Sequence, residues 1–184
     1  MNVNEKNTFE GLSRYNLAAL IAGINYKYAV IISFAGGSTA SLNFTSADTL
    51  ILESKNILRN IPVSLNVKGD QNNRIRDAFA KTLSAEGLRT QGSGAPYILE
   101  IAVNMSEAVF PENNIVNCRF TVDANLIEKA TGSVLLPFNV TDREGHITYE
   151  EAKARSFLTM EKIISEKYPV VFREYIAALM PKIK

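Results

Sequence analysis

The sequence predicts an α+β fold: an antiparallel sheet with helices packed mainly on one face, as a two-layer sandwich. Residues 116–126 alternate strictly between apolar and polar side chains, which is typical of a strand with one face on a core and the other in water. Stretches with a helical apolar stripe precede and follow the strand-forming stretches. Helices of this kind need a sheet face to cover, so the two patterns together predict two layers.

The composition limits the classes of function. A chain of 184 residues with 46% hydrophobic and 21% charged residues suits one globular domain, 1–184. Its formal net charge of +1 gives no field that favours nucleic acid. One cysteine and one histidine exclude a disulfide scaffold, a zinc finger and a multi-histidine metal centre. We expect no cofactor, no metal and no nucleic-acid partner.

Residues 1–61 are predicted to form a helix–strand–helix extension, of undetermined packing, to an α+β core at 62–184. Apolar spacing predicts a helix over 8–22, and alternation predicts a strand from Tyr26 to Phe34. A second helix runs from its N-cap Ser46 to Pro62. The apolar stripe of this helix includes Leu50, Ile51, Ile57 and Leu58. These residues are candidates for contact with a lipid or a protein partner.

The most apolar stretch is Leu17 to Phe34, which is long enough to span a bilayer. Asn25 and Lys27 lie at its middle, where a charge is costly, and its period changes halfway. The sequence therefore predicts two soluble elements and no transmembrane segment. Charges among the first sixteen residues also argue against an export signal in this chain.

The core begins with a short strand, 63–67, and a helix from Asp70 to Glu86 that Gly87 ends. Strands are predicted at 97–105, 116–126 and 134–140, and a hairpin turn that ends at Gly132 joins the last two. Pro137 cannot donate to a ladder, so the third of these strands is predicted to lie at a sheet edge.

Two helices close the predicted fold. Thr148 and Glu151 form a capping box, and the helix behind it carries apolar residues at helical spacing as far as Tyr168. Pro169 fits the first turn of a further helix that runs to Met180.

The densest polar cluster is residues 141–146. Arg143, Glu144 and His146 are the candidates for acid–base chemistry, and Glu144, His146 and Glu150 are the candidates for binding a metal. The alternative is a solvated connection in which acidic side chains complement a helix N-terminus. No further catalytic pattern accompanies these residues. Cys118 falls on the apolar face of its strand, which predicts a buried and inert thiol.

From about Val63 onward the chain resembles a known class of proteins. The segments that carry the resemblance are GDQNNRIRDAFAKTLSAEGLRT, YILEIAV, CRFTVDANLIEKATGSVLLPF and REGHITYEEAKARSFLTMEKII. They resemble small domains of bacterial outer-membrane lipoproteins, including curli-secretion and flagellar accessory lipoproteins and spirochaete envelope lipoproteins. Asp123, Leu126, Thr131 and Gly132 would then correspond to the hairpin of that class.

The resemblance implies a non-enzymatic envelope (lipo)protein, periplasmic or associated with the outer membrane, that acts as a binding or assembly module. Its partner would be an envelope protein or a lipid. Two alternatives stay open. One is a lipid-binding or membrane-inserting protein that uses the apolar N-terminal helices. The other, ranked last, is an enzyme centred on Arg143, Glu144 and His146.

Overall fold

The computed structural model describes residues 8–35, 46–110 and 115–180. The chain divides into two compact units. The N-terminal unit comprises Met1–Ile61 and Tyr175–Lys184, and the sheet unit comprises Pro62–Glu174. The described helices and strands are α1 (Phe9–Phe34), α2 (Ala47–Arg59), β1 (Pro62–Lys68), α3 (Arg74–Ala85), β2 (Arg89–Thr90), β3 (Tyr97–Phe110), β4 (Ile115–Glu128), β5 (Ser133–His146) and α4 (Tyr149–Ala178).

The N-terminal unit contains one long helix where a helix and a strand were predicted. The prediction of a strand from Tyr26 to Phe34 is wrong, because α1 continues through these residues to Phe34. Thr8 caps the helix by accepting a hydrogen bond from the Gly11 N–H at 3.1 Å. A stretch that is apolar on every side carries no reliable period, so the alternation of Tyr26 to Phe34 did not indicate a strand.

The sheet unit confirms the predicted α+β class. The strand order is β2-β1-β3-β4-β5. The three long strands pair antiparallel with one another, β3 with β4 and β4 with β5, as predicted, whereas β1 runs parallel to both β2 and β3. The sheet is therefore mixed. The connection from β1 to β3 passes through α3, and such a helical crossover is the usual way to join parallel strands.

The strand β5 lies at the sheet edge, as the position of Pro137 predicted. The hairpin before it is also confirmed, since Gly132 holds a φ of +69° and donates to the Glu128 carbonyl at 2.8 Å. Val134, however, does not share the core face. The register shifts between Leu126 and Ile127, so a bulge turns Val134 outward and leaves it 53% exposed.

The helix α4 is continuous where two helices were predicted. Thr148 accepts from the Glu151 N–H and donates to the Glu151 carboxylate, which confirms the capping box. Pro169 lies inside α4 and does not begin a new helix. Tyr168 and Phe172, on either side of Pro169, are both buried. Their packing holds the helix together across the proline, which by itself removes one backbone hydrogen bond.

Three aromatic rings join the two layers of the sheet unit. Phe79 of α3, Phe138 of β5 and Tyr168 of α4 meet edge to face, with ring centroids 5.2 to 6.2 Å apart. Edge-to-face pairs contribute about 0.5–1.5 kcal/mol each beyond the area they bury. The Tyr168 hydroxyl is buried and has no hydrogen-bond partner among the described residues. Burial therefore raises the pKa of Tyr168 well above its usual value.

Replacing Tyr168 with phenylalanine is expected to leave the free energy of unfolding at pH 7 unchanged or to raise it by about 1 kcal/mol, because a buried hydroxyl without a partner is removed. The pKa of Tyr168 is higher in the folded than in the unfolded chain. The wild type should therefore lose stability as the pH rises above about 10, by at most about 1.4 kcal/mol per pH unit from this group. Urea melts of both proteins between pH 8 and 11 measure the difference. If the free energy of unfolding falls equally in both proteins as the pH rises, the raised pKa of Tyr168 is contradicted.

Candidate functional surfaces

The first half of α1 packs within the N-terminal unit. Phe9, Leu12 and Ala19 are buried. Ser54 of α2 donates to the Asn16 side chain at 2.5 Å, and the Phe9 ring meets the Tyr175 ring edge to face with centroids 6.0 Å apart. This part of the helix is core.

The second half of α1 is apolar and exposed. Between Tyr15 and Phe34 the sequence holds one charged residue, Lys27. Eight large apolar side chains of this half are 39% to 89% exposed: Leu20, Ile21, Ile24, Tyr26, Tyr28, Ile31, Ile32 and Phe34. By length and composition alone α1 could cross a membrane, and only 11% of its most apolar window is buried. A contiguous apolar surface of this kind indicates an interaction site.

The four predicted contact residues of α2 do not form one open surface. Ile57 is 3% exposed and belongs to the core of the N-terminal unit. Leu50 and Leu58 are half-buried, whereas Ile51 is 45% exposed. Ile51 and the neighbouring Leu52 are thus the accessible apolar side chains of this helix.

The structure does not bring Arg143, Glu144 and His146 together. Successive residues of a strand point to opposite faces, so Arg143 lies on the face opposite to Glu144 and His146. Glu144 is opposite Cys118 in the ladder and accepts from the Thr159 hydroxyl at 2.5 Å. His146 contacts the Glu151 carboxylate through Nδ1. Glu144 and His146 of β5 are thus each in contact with a side chain of α4, as a structural role predicts.

No metal site forms among the residues that the structure describes. None of their histidine, cysteine, aspartate and glutamate side chains form a group of three or more that could hold an ion. Glu144, His146 and Glu150 therefore do not converge as ligands.

Cys118 is fully buried, as its place on the apolar strand face predicted. Tyr149, in the first turn of α4, lies beside it. Partial burial raises the pKa of the Tyr149 phenol, and the adjacent Cys118 thiol adds to this effect. The neutral Tyr149 phenol therefore lies against the buried Cys118 thiol.

Two grooves border α4 in the sheet unit. The one between α3 and α4 has a volume of about 620 Å³ and carries Arg74, Lys81 and Lys162 with Asp77 and Glu161. Arg74 is already bound within it, since its Nε lies 2.6 Å from Glu161 Oε1 and its guanidinium lies 5.5 Å from the centre of the Phe157 ring.

The other groove lies between β5 and α4 and has a volume of about 460 Å³. Residues 137–141 form its strand side, and Lys167 and Val171 form its helix side. Sequence reasoning missed this groove, although Pro137 correctly predicted that its strand is an edge. The position of α4 beside that edge is set by tertiary packing, which no local sequence pattern reveals.

Comparisons with known proteins concern the fold. No family model and no curated protein matches the sequence. A minor lipoprotein from Acinetobacter baumannii is similar in structure, with 17% identity, 67% of this chain and 96% of that chain covered, and a TM-score of 0.45. Rare lipoprotein B from Shewanella oneidensis gives 11% identity, 64% and 95% coverage and a TM-score of 0.41. An uncharacterised lipoprotein B from Nitrosomonas europaea is 13% identical, with 62% of this chain and 79% of that chain covered and a TM-score of 0.37.

All three similar structures are small bacterial lipoproteins. The resemblance inferred from the sequence points to the same class of protein.

Proposed function

We propose that the chain is a non-enzymatic bacterial envelope protein whose second half of α1 inserts into a membrane and whose sheet unit serves as a binding module. The observation that carries the proposal is the uncovered apolar half of α1. The polar residues that interrupt it are compatible with lipid. Tyr26 and Tyr28 are of the type enriched at membrane interfaces, and a lysine such as Lys27 can extend its ammonium toward water.

The connection to α2 supports insertion into one leaflet and not a full crossing. The first half of α1 and α2 belong to the same unit, where Ser54 bonds to Asn16. The chain that leaves this unit along α1 returns to it at Ser46. A crossing in both directions would need a second span of about 20 apolar residues. Only the eleven residues 35–45 separate Phe34 from Ser46.

The length of the exposed half of α1 agrees with insertion into one leaflet. From Leu20 to Phe34 the helix is about 22 Å long at 1.5 Å per residue, which is shorter than a hydrocarbon core of about 30 Å. A helix of this length can bury its apolar side chains when it lies tilted in one leaflet.

Replacing both Ile24 and Ile31 with glutamate is expected to lower the partition coefficient of the full chain onto phosphatidylethanolamine–phosphatidylglycerol vesicles at least tenfold. Two exposed apolar side chains would then carry charge into the lipid, and each such charge is costly. Flotation on a density gradient measures the partition. The free energy of unfolding should hardly change, because Ile24 is 45% and Ile31 is 62% exposed.

The matched control is Ile147→Glu, since Ile147 is 78% exposed but lies outside α1. It should float like the wild type. The proposal fails if the wild type stays at the bottom of the gradient with these vesicles. It also fails if the double variant floats as well as the control.

A further inference from the structure

The edge strand β5 presents a row of backbone groups that no described residue pairs. It bonds to β4 on one side only. Pro137 has no N–H to give, and a proline within a sheet is placed with that position facing away from the ladder. Asn139 and Thr141 occupy the same alternate positions, so their N–H and C=O groups face outward too. None of the backbone hydrogen bonds that lie outside the described helices and ladders involves either residue.

The groove between β5 and α4 lies beside this row. Phe138 and Val140 project from β5 toward the helix layer, and Val171 of α4 lines the other side. Lys167, one helical turn before Val171, is exposed, and no described carboxylate lies within ion-pair distance of its Nζ. An open strand edge beside a groove that is lined in part by apolar side chains is the arrangement by which sheets accept an added peptide strand, with main-chain bonds for affinity and side-chain pockets for specificity.

We propose that this groove binds an extended peptide segment of a partner protein, which pairs with β5 as a sixth strand. Every second side chain of that segment would point to the helix-covered face. One of these is apolar and lies against Phe138, Val140 and Val171, and one is acidic and lies opposite Lys167. The inference rests on the proposed role of the sheet unit as a binding module and gives that module its site.

The sequence of β5 argues against a second copy of this chain as the occupant. Two β5 strands paired antiparallel about Thr141 would set Asp142 opposite Val140 and Glu144 opposite Phe138. Pairing about Asn139 would match Phe138 with Val140 but set Asp142 opposite Leu136, and pairing about Asp142 would set the two Asp142 carboxylates opposite each other. Apolar groups opposite carboxylates, and like charges opposite each other, both disfavour a strand pair. Pro137 and the bulge before Leu136 further shorten the edge that two copies could share.

The first test is a selection of random seven-residue peptides displayed on phage against the immobilised full chain. The wild type should enrich peptides in which apolar and acidic residues occupy positions of the same parity. Against Lys167→Glu, the acidic position should become basic, because the charge opposite it has been reversed. The matched control is Lys162→Glu, an exposed lysine of the same helix that lines the other groove, and it should enrich the wild-type sequences.

The second test addresses the strand edge. Thr141→Pro removes one outward N–H, and it should weaken the affinity for a selected synthetic peptide at least tenfold in a fluorescence anisotropy titration. Thr141→Val keeps that N–H and loses only the hydroxyl, which lies 3.3 Å from the Thr121 hydroxyl, so it should stay within about twofold of the wild type. If Thr141→Pro does not fold, the charge reversal at Lys167 still decides, since that side chain is exposed.

Three outcomes would overturn the inference. In the first no peptide sequence is enriched, and in the second the selected sequences do not change when the charge at residue 167 is reversed. In the third the wild type self-associates and Thr141→Pro abolishes this, which would assign the edge to a second copy. Membrane association is measured separately by flotation. If no peptide is selected but the chain floats with vesicles, only the proposed peptide site is rejected. If peptides are selected but the chain does not float, only the proposed membrane role is rejected.

Discussion

Replacing Gly69 with alanine is expected to lower the free energy of unfolding of the sheet unit by about 3 kcal/mol or more. Gly69 follows β1 and has a φ of +81°. A Cβ built on it would lie 2.0 Å from the Val103 carbonyl oxygen of β3. That atom belongs to the backbone of a central strand, so it cannot turn away as a flexible side chain would. The alanine variant must therefore displace the turn from β1 into α3 or break part of the β1–β3 ladder.

Alanine variants of two other glycines distinguish the cost of the steric clash from the cost of the backbone strain. Gly132 has a φ of +69° but no atom within 4 Å of its Cβ position, so Gly132→Ala should cost about 1 kcal/mol. Gly92 has neither a positive φ nor a close neighbour, and Gly92→Ala should be neutral or slightly stabilising. Urea melts of the three variants measure the series. Equal midpoints for Gly69→Ala and Gly132→Ala would show that the contact with the Val103 carbonyl adds no cost beyond the strain of a positive φ.

The parts of the fold that the sequence predicts are those that local chemistry determines. The hairpin at Gly132, the capping box at Thr148 and the burial of Cys118 each depend on a few neighbouring residues. The edge position of β5 follows from one residue, Pro137. Each of these patterns has a single structural solution over a short distance, so a single sequence suffices to predict it.

The parts that the sequence misses depend on distant residues or on the absence of a pattern. The parallel pairing of β1 with β3 joins Val63 to Tyr97, and no local signal sets the direction of such a pair. The apolar stretch after Gly23 has no polar face, so its period does not separate a helix from a strand. Pro169 ordinarily limits a helix, but the buried Tyr168 and Phe172 outweigh the loss of one bond.

The candidate surfaces show the same difference between what local sequence predicts and what tertiary packing decides. Spacing along a helix placed Leu50, Ile51, Ile57 and Leu58 together, and the structure separates them by burial. Proximity along the sequence placed Arg143 beside Glu144, and the pleat of β5, which continues through both residues, sends them to opposite faces. Sequence patterns thus find the element on which a residue lies, whereas accessibility depends on what the rest of the chain packs against it.

Replacing Ile57 with glutamate is expected to unfold the N-terminal unit, while the same change at Ile51 is not. Ile57 is 3% exposed, one turn after the buried Ser54 and one turn before the buried Ile61. A glutamate there loses the burial of an isoleucine and brings a carboxylate into an apolar contact without a partner, for a cost of about 4 kcal/mol or more. Ile51 is 45% exposed, and a surface change of this kind costs about 0.5 kcal/mol or less.

Hydrogen exchange of the backbone amides measures this difference locally. Ile57→Glu should remove the protection of the α2 amides and leave that of the β4 amides, because Ile57 and β4 belong to different compact units. Any loss of vesicle association in Ile57→Glu would then arise from unfolding, whereas a loss in Ile24→Glu/Ile31→Glu would arise from the lipid contact itself. If Ile57→Glu and Ile51→Glu keep equal protection in α2, then α2 does not depend on Ile57 for packing. The face that carries it would in that case be available to bind a partner.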